Sequence, residues 1–201
     1  MEKIYFEYGQ KEIDYLSKKD KKLGAAIERI GHIKREVRPD VFVALVKSVI
    51  SQQISTKAAD TVWLRLNEMC QPSAENIYSL KCEDIQSCGM SMRKAEYIHN
   101  IAAAAVNKAV DFDAFSQMSD EEVIQILSAL KGIGVWTAEM LLIFSLCRPN
   151  IVSYGDLAIR RGMMRLYGHN ELPKERFERY AKRYAPYGSV ASLYLWELAT
   201  P

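Results

Sequence analysis

The chain has 201 residues, 49% of them hydrophobic and 26% charged, with a formal charge of +2. That length and balance suit a globular chain that buries a substantial core, as one domain or two small lobes, and exclude a disordered or low-complexity polypeptide. No stretch reaches the roughly 18 apolar residues of a membrane helix, and MEKIYFEYGQKEIDYL carries acids and tyrosines where a secretory signal needs an unbroken apolar run. A cytoplasmic protein without a membrane partner is therefore expected. Cys70, Cys82, Cys88 and Cys147 are irregularly spaced and form no CxxC pair, so reduced thiols that bind no metal are expected.

In chain order, residues 11–37 carry helical spacing at Ile13, Leu16, Leu23, Ile27 and Ile30, with Asp20 as an internal cap. Pro39 favours a first helical turn, and Val41, Phe42, Leu45, Val46, Val49 and Ile50 form the next buried stripe. Ser51-Gln52-Gln53-Ile54-Ser55 interrupts that helix before the pattern resumes over Thr56 to Met69. Two neutral amides at a junction read either as a capped turn, with Ser55 as N-cap, or as a polar wedge that enters DNA when a base is extruded.

Pro72-Ser73 opens a short helix to Leu80, a second runs to Cys88, and Gly89-Met90-Ser91-Met92 is a turn. Arg93 to Val110 is an alanine-rich helix that packs closely through Ile98, Ile101, Ala102, Ala105 and Val106. Arg93 and Lys94 stand in its first turn, where the helix dipole disfavours cations; a nearby anion such as phosphate, or plain solvation, would compensate. After a linker over Asp111 to Met118, Ser119 and Glu122 form a capping box for a helix that buries Val123, Ile126, Leu127 and Leu130. Nothing alternates like a strand for long, so the fold class is all-α, with roughly ten short helices.

Gly132-Ile133-Gly134 then breaks two helices at a tight turn, with Ile133 pointing to the core. Glycine permits a left-handed conformation and a close backbone approach by a ligand. The amides of Gly134, Val135 and Trp136 precede the first hydrogen bonds of the following helix and suit a phosphate, although many helix pairs turn on glycine and bind nothing. About twenty residues later Asp156 follows Tyr154-Gly155 and precedes another helical pattern, where it reads as an N-cap or as a catalytic acid. Residues 157–188 carry eight basic side chains against three acids, either a solvated helical surface or a nucleic-acid contact.

LKGIGVWTAEM followed by VSYGD resembles the hairpin and catalytic aspartate of the helix-hairpin-helix GPD superfamily of DNA glycosylases. The similarity extends through VFVALVKSVISQQISTKAA, GMSMRKAEYI and PYGSVASLYLW, over roughly residues 20–198, and is greatest to the bacterial 3-methyladenine DNA glycosylase II type. The resemblance implies a single glycosylase unit over 1–201. Within it, a helical-barrel lobe over 39–134 ends in the hairpin, a second lobe combines 1–38 with 135–201, and the active site lies in the cleft between them. It implies a monomer acting on double-stranded DNA that contains damaged bases, with Asp156 catalytic.

By the same resemblance Trp136, Tyr154 and Trp196 are the aromatic candidates for the base pocket. Gln53 or Gln52 is the wedge, Met90, Ser91 and Met92 prop the opposite strand, and Gly132, Gly134, Val135 and Thr137 meet the DNA backbone. Bifunctional relatives place a Schiff-base lysine where this chain has Trp136, and an indole forms no imine, so hydrolysis without AP-lyase activity is implied. No cofactor is required beyond a monovalent cation that the hairpin could hold. With no cysteine after Asp156, no iron–sulfur cluster is implied. Gly188 stands where the terminal motif often has arginine, which leaves one backbone contact in doubt. The implied reaction is release of alkylated purines of the 3-methyladenine type in base excision repair. The rivals are a glycosylase for another lesion or mismatch, and a non-catalytic helix-hairpin-helix DNA-binding module.

Overall fold

The computed structural model describes residues 3–200. Among them are two short strands, β1 (Ile4–Tyr5) and β2 (Glu36–Val37), and twelve α-helices. The first six helices are α1 (Gln10–Lys19), α2 (Lys21–Ile30), α3 (Val41–Ser51), α4 (Thr56–Cys70), α5 (Ala74–Ser79) and α6 (Cys82–Ser87). The rest are α7 (Met92–Val106), α8 (Asp120–Ala129), α9 (Val135–Phe144), α10 (Leu157–Tyr167), α11 (Lys174–Tyr184) and α12 (Gly188–Ala199). The all-α reading holds, with twelve helices where roughly ten were expected.

Local chemistry sets the boundaries. The helical pattern expected over 11–37 ends at Ile30, because Gly31 adopts φ 78° and closes α2. Residues beyond it turn extended, and β2 pairs antiparallel with β1. Pro39 lies outside α3, whose N-cap is Asp40, accepting from the Val43 N–H. Helix α7 stops at Val106, four residues short of the expected Val110. The capping box before α8 is formed: the Ser119 N–H donates to Glu122 Oε2 at 2.8 Å, and the Glu122 N–H donates to Ser119 Oγ at 3.2 Å.

The chain divides into two compact units, Arg38–Leu141 and a second made of the segments up to Val37 and from Leu142 onward. In the first, α3 is almost wholly apolar, with Phe42, Leu45, Val46, Val49 and Ile50 buried among its neighbours. Ala95, Ile98, Ile101 and Ala102 give α7 a small-residue face on the same core. Full burial of each large aliphatic side chain contributes roughly 1.5–3 kcal/mol.

In the second unit α12 is the central element, buried from Gly188 through Leu195. Helix α10 lies against it at Gly162, where an added Cβ would sit 1.9 Å from Leu195 O. Asp20 ties the surrounding helices together. It caps α2 through the Lys22 and Leu23 amides, accepts from the Tyr167 hydroxyl, and pairs with Arg183 at 3.4 Å. Burial pushes the Tyr167 and Tyr184 phenols well above their usual range, so both stay protonated and able to donate.

Candidate active site

The turn between α8 and α9 lies within the first unit. Gly132 has φ 89°, and a Cβ there would fall 2.2 Å from a ring carbon of Tyr97, so glycine is required twice over. Ile133 is buried, as expected, and its N–H donates to Leu130 O at 3.1 Å. Gly134 differs, because nothing in the chain lies within 4 Å of an added Cβ and its φ is not positive. Its lack of a side chain keeps open space beside the start of α9, where the Ala138 N–H to Gly134 O bond begins the helical ladder. Val135 and Trp136 are 53% and 48% exposed there, while Thr137 is buried. Of the carbonyls a monovalent cation could use, Leu130 O accepts from Ile133 and Gly132 O from Gln52, each keeping a second lone pair.

The two glutamines are placed differently. Gln52 is half-buried, and its Nε2 donates to Gly132 O at 2.9 Å, joining the end of α3 to the hairpin. Gln53 is exposed and has φ 58°, a left-handed conformation that costs a long side chain roughly 1–3 kcal/mol. Ile54 beside it is 42% exposed, and Ser55 caps α4 by accepting from the Ala58 N–H. Met90, on the turn before α7, and Met92, the first residue of that helix, are half-buried, and Ser91 is its N-cap. Lys94 donates from Nζ to Ile50 O at 2.8 Å and to Gln52 O at 2.5 Å. The carbonyl end of α3 is thus one compensating partner for its charge. Burial lowers its pKa, with Arg93 adding to the shift.

Asp156 belongs to the second unit. It caps α10, with Oδ1 accepting from the Ile159 N–H at 2.8 Å and from the Trp196 indole N–H at 3.2 Å. At 7% exposure it is a buried carboxylate whose Oδ1 accepts from two donors, which restrains its orientation. Cap and candidate acid are therefore the same side chain. Trp196 is half-buried, its ring 5.4 Å from Phe144 and under the Arg35 guanidinium at 5.9 Å. Tyr154 meets Phe177 edge-on at 5.1 Å and carries the Arg160 guanidinium over its ring at 5.1 Å.

The segment leading to Asp156 is fastened to α12 by two serines. Ser189 Oγ donates to Arg148 O and accepts from the Ile151 N–H, and Ser192 Oγ donates to Ile151 O at 2.9 Å. At Gly188 an added Cβ would lie 2.8 Å from Val152 Cγ2 and 2.9 Å from Asn150 Oδ1. An arginine there would have to displace this same segment.

The sequence profile of the HhH-GPD superfamily of base excision DNA repair proteins matches residues 46–186. The chain belongs to that superfamily. It is 32% identical over 166 residues to DNA-3-methyladenine glycosylase 1 of Schizosaccharomyces pombe, covering 80% of this chain and 73% of that protein. A crystal structure of DNA-3-methyladenine glycosidase from Bacillus halodurans superposes with a TM-score of 0.87 at 34% identity, over 100% of this chain and 93% of that one. The S. pombe 3-methyladenine DNA glycosylase (Mag1), solved in complex with abasic DNA, superposes with a TM-score of 0.77 at 30% identity, over 94% and 96% of the two chains.

In this HhH-GPD chain, sequence reasoning missed Lys94 as a structural partner of α3, and it missed Ser189 and Ser192. Only Lys94 left a signal, a cation at the wrong end of a helix. The four thiols are unpaired by disulfides, and burial raises the pKa of each, which disfavours the thiolate that metals and electrophiles need. Among the described residues no group of three or more His, Cys, Asp or Glu side chains is placed to hold a metal. None of the described helices is long and apolar enough to cross a membrane.

Proposed function

We propose that this chain is a monofunctional DNA glycosylase that extrudes an alkylated purine from double-stranded DNA and hydrolyses its N-glycosidic bond. The observation that carries the reading is Asp156, a buried carboxylate whose Oδ1 accepts from the Ile159 amide and the Trp196 indole. Its membership of a base excision repair superfamily, and relatives named for 3-methyladenine, support the same chemistry. That one relative was solved with abasic DNA, the product such a reaction leaves, supports duplex DNA as the partner.

Alkylation on a ring nitrogen makes a purine cationic and a good leaving group, so the remaining barrier is positive charge developing on the sugar. A fixed carboxylate beside the sugar stabilises that oxocarbenium-like state and orients the attacking water. An aromatic face attracts a cationic base through cation–π contact, a role that suits Trp136 and Trp196. Arg35 lies 5.9 Å from the Trp196 ring and Arg160 5.1 Å from that of Tyr154, so a cationic base at either face would have to displace an arginine. Gln53 is the better wedge, because Gln52 is engaged with Gly132. The hairpin would take a DNA phosphate at the open space that Gly134 preserves.

Hydrolysis without strand cleavage is supported by Trp136, two residues after Gly134, the position at which, by the resemblance, bifunctional relatives carry an imine-forming lysine. The test is borohydride reduction during turnover on a duplex with one methylated purine. The expected result is a nicked strand only after alkali and no protein–DNA adduct. A trapped adduct would contradict the monofunctional reading.

A further inference from the structure

Gln53 holds a left-handed conformation on an exposed turn, φ 58°, which survives only where flanking structure dictates it. Both flanks are fastened. On the near side Lys94 Nζ closes the end of α3 by donating to Ile50 O and Gln52 O, and on the far side Ser55 caps α4. Gln52 then passes the connection on, its side chain donating to Gly132 O at 2.9 Å. Lys94 is itself anchored, because its amide donates to Ser91 Oγ. One turn further along α7, Tyr97 fills the space that a side chain at Gly132 would occupy. The 51–55 turn, the 90–92 turn and the glycine hairpin are thus links of one chain, Ser91–Lys94–Gln52–Gly132.

We infer that Lys94 and Gln52 are positioning residues that lock the Gln53 turn to the hairpin, so that seating the hairpin on a DNA phosphate drives Gln53 into the base stack. The inference rests on the glycosylase reading above. A residue that enters a stacked duplex meets resistance from every base pair it displaces, and a turn tied only by its own peptide bonds would relax toward an extended conformation instead. Two hydrogen bonds from one ammonium to the carbonyls on either side of Ser51, and one amide bond to the hairpin, oppose that relaxation. Two of the three Lys94 donors go to these carbonyls, so most of its hydrogen-bonding capacity serves the end of α3.

The test compares Lys94→Met, Gln52→Leu and the double variant on two duplexes carrying 7-methylguanine, one opposite cytosine and one opposite an abasic-site analogue. The second lesion is already unpaired and needs little wedge work. Each single variant is expected to release base about 10-fold more slowly than wild type from the paired duplex and within about 2-fold of it from the unpaired one. Because the two residues are links in one chain, the double variant should be about as slow as the slower single variant. Wild-type rates on the paired duplex would overturn the inference. So would an equal loss on both duplexes, the mark of general structural damage. Wild-type protein that releases base from neither duplex would overturn the glycosylase reading itself, and this inference with it.

Discussion

Asp156→Asn is expected to lower single-turnover release of a methylated purine by about 1,000-fold or more, while affinity for an abasic-site duplex stays within about 3-fold of wild type. The substitution isolates charge. Asparagine ranks with aspartate as an N-cap, so its carbonyl oxygen can still accept from Ile159 and from the Trp196 indole, and α10 should start where it does now. What is lost is the negative charge facing a developing cation, in a site where burial removes the screening that water would supply. Release and binding are measured separately, by free-base chromatography under single-turnover conditions and by fluorescence anisotropy. Near-wild-type release would remove Asp156 from the chemistry and leave it as a cap alone.

Gly162→Ala should lower stability by about 3 kcal/mol, a fall in Tm on the order of 6–12 °C for a chain of this size. The new Cβ would lie 1.9 Å from Leu195 O and 2.7 Å from its carbonyl carbon. These are backbone atoms that cannot rotate aside, so α10 and α12 must separate. Alanine's better helix propensity, about 1 kcal/mol, is too small to offset this. Activity should fall further than the folded fraction, because Asp156 caps α10 while Trp196 follows Leu195 on α12, and separating the helices lengthens the bond between them. Gly134→Ala is the internal comparison. With nothing within 4 Å, it should leave thermal unfolding unchanged. Differential scanning calorimetry of the two variants checks both halves of the argument.

The sequence carried the helical period, the caps at Asp20, Ser55 and Ser119, and the break at Gly132, because each depends on residues within one turn of each other. The end of α2 was equally local, with Gly31 in place to stop it after Ile30, the last apolar position of the spacing, yet the expected helical region ran on to residue 37. Contacts between distant segments were out of reach. Nothing in VSYGD tells a cap from a catalytic acid, since the indole that grips Asp156 lies 40 residues away. The two adjacent glutamines cannot be told apart by type, only by what each side chain touches. Lys94 shows the limit most plainly: its place in the first turn of α7 announced a partner, but not that the partner was the end of α3.

Alkylated purines as the substrate class are tested most directly by one panel of duplexes that are identical except for a single central base: 7-methylguanine, 3-methyladenine, 8-oxoguanine or uracil. Single-turnover release of the free base is measured for each. The account predicts release from both methylated duplexes at least about 100-fold faster than from the other two, because only a cationic base combines a weakened glycosidic bond with attraction to an aromatic face. Equal or faster release of 8-oxoguanine or uracil, or release of no base at all, would contradict it.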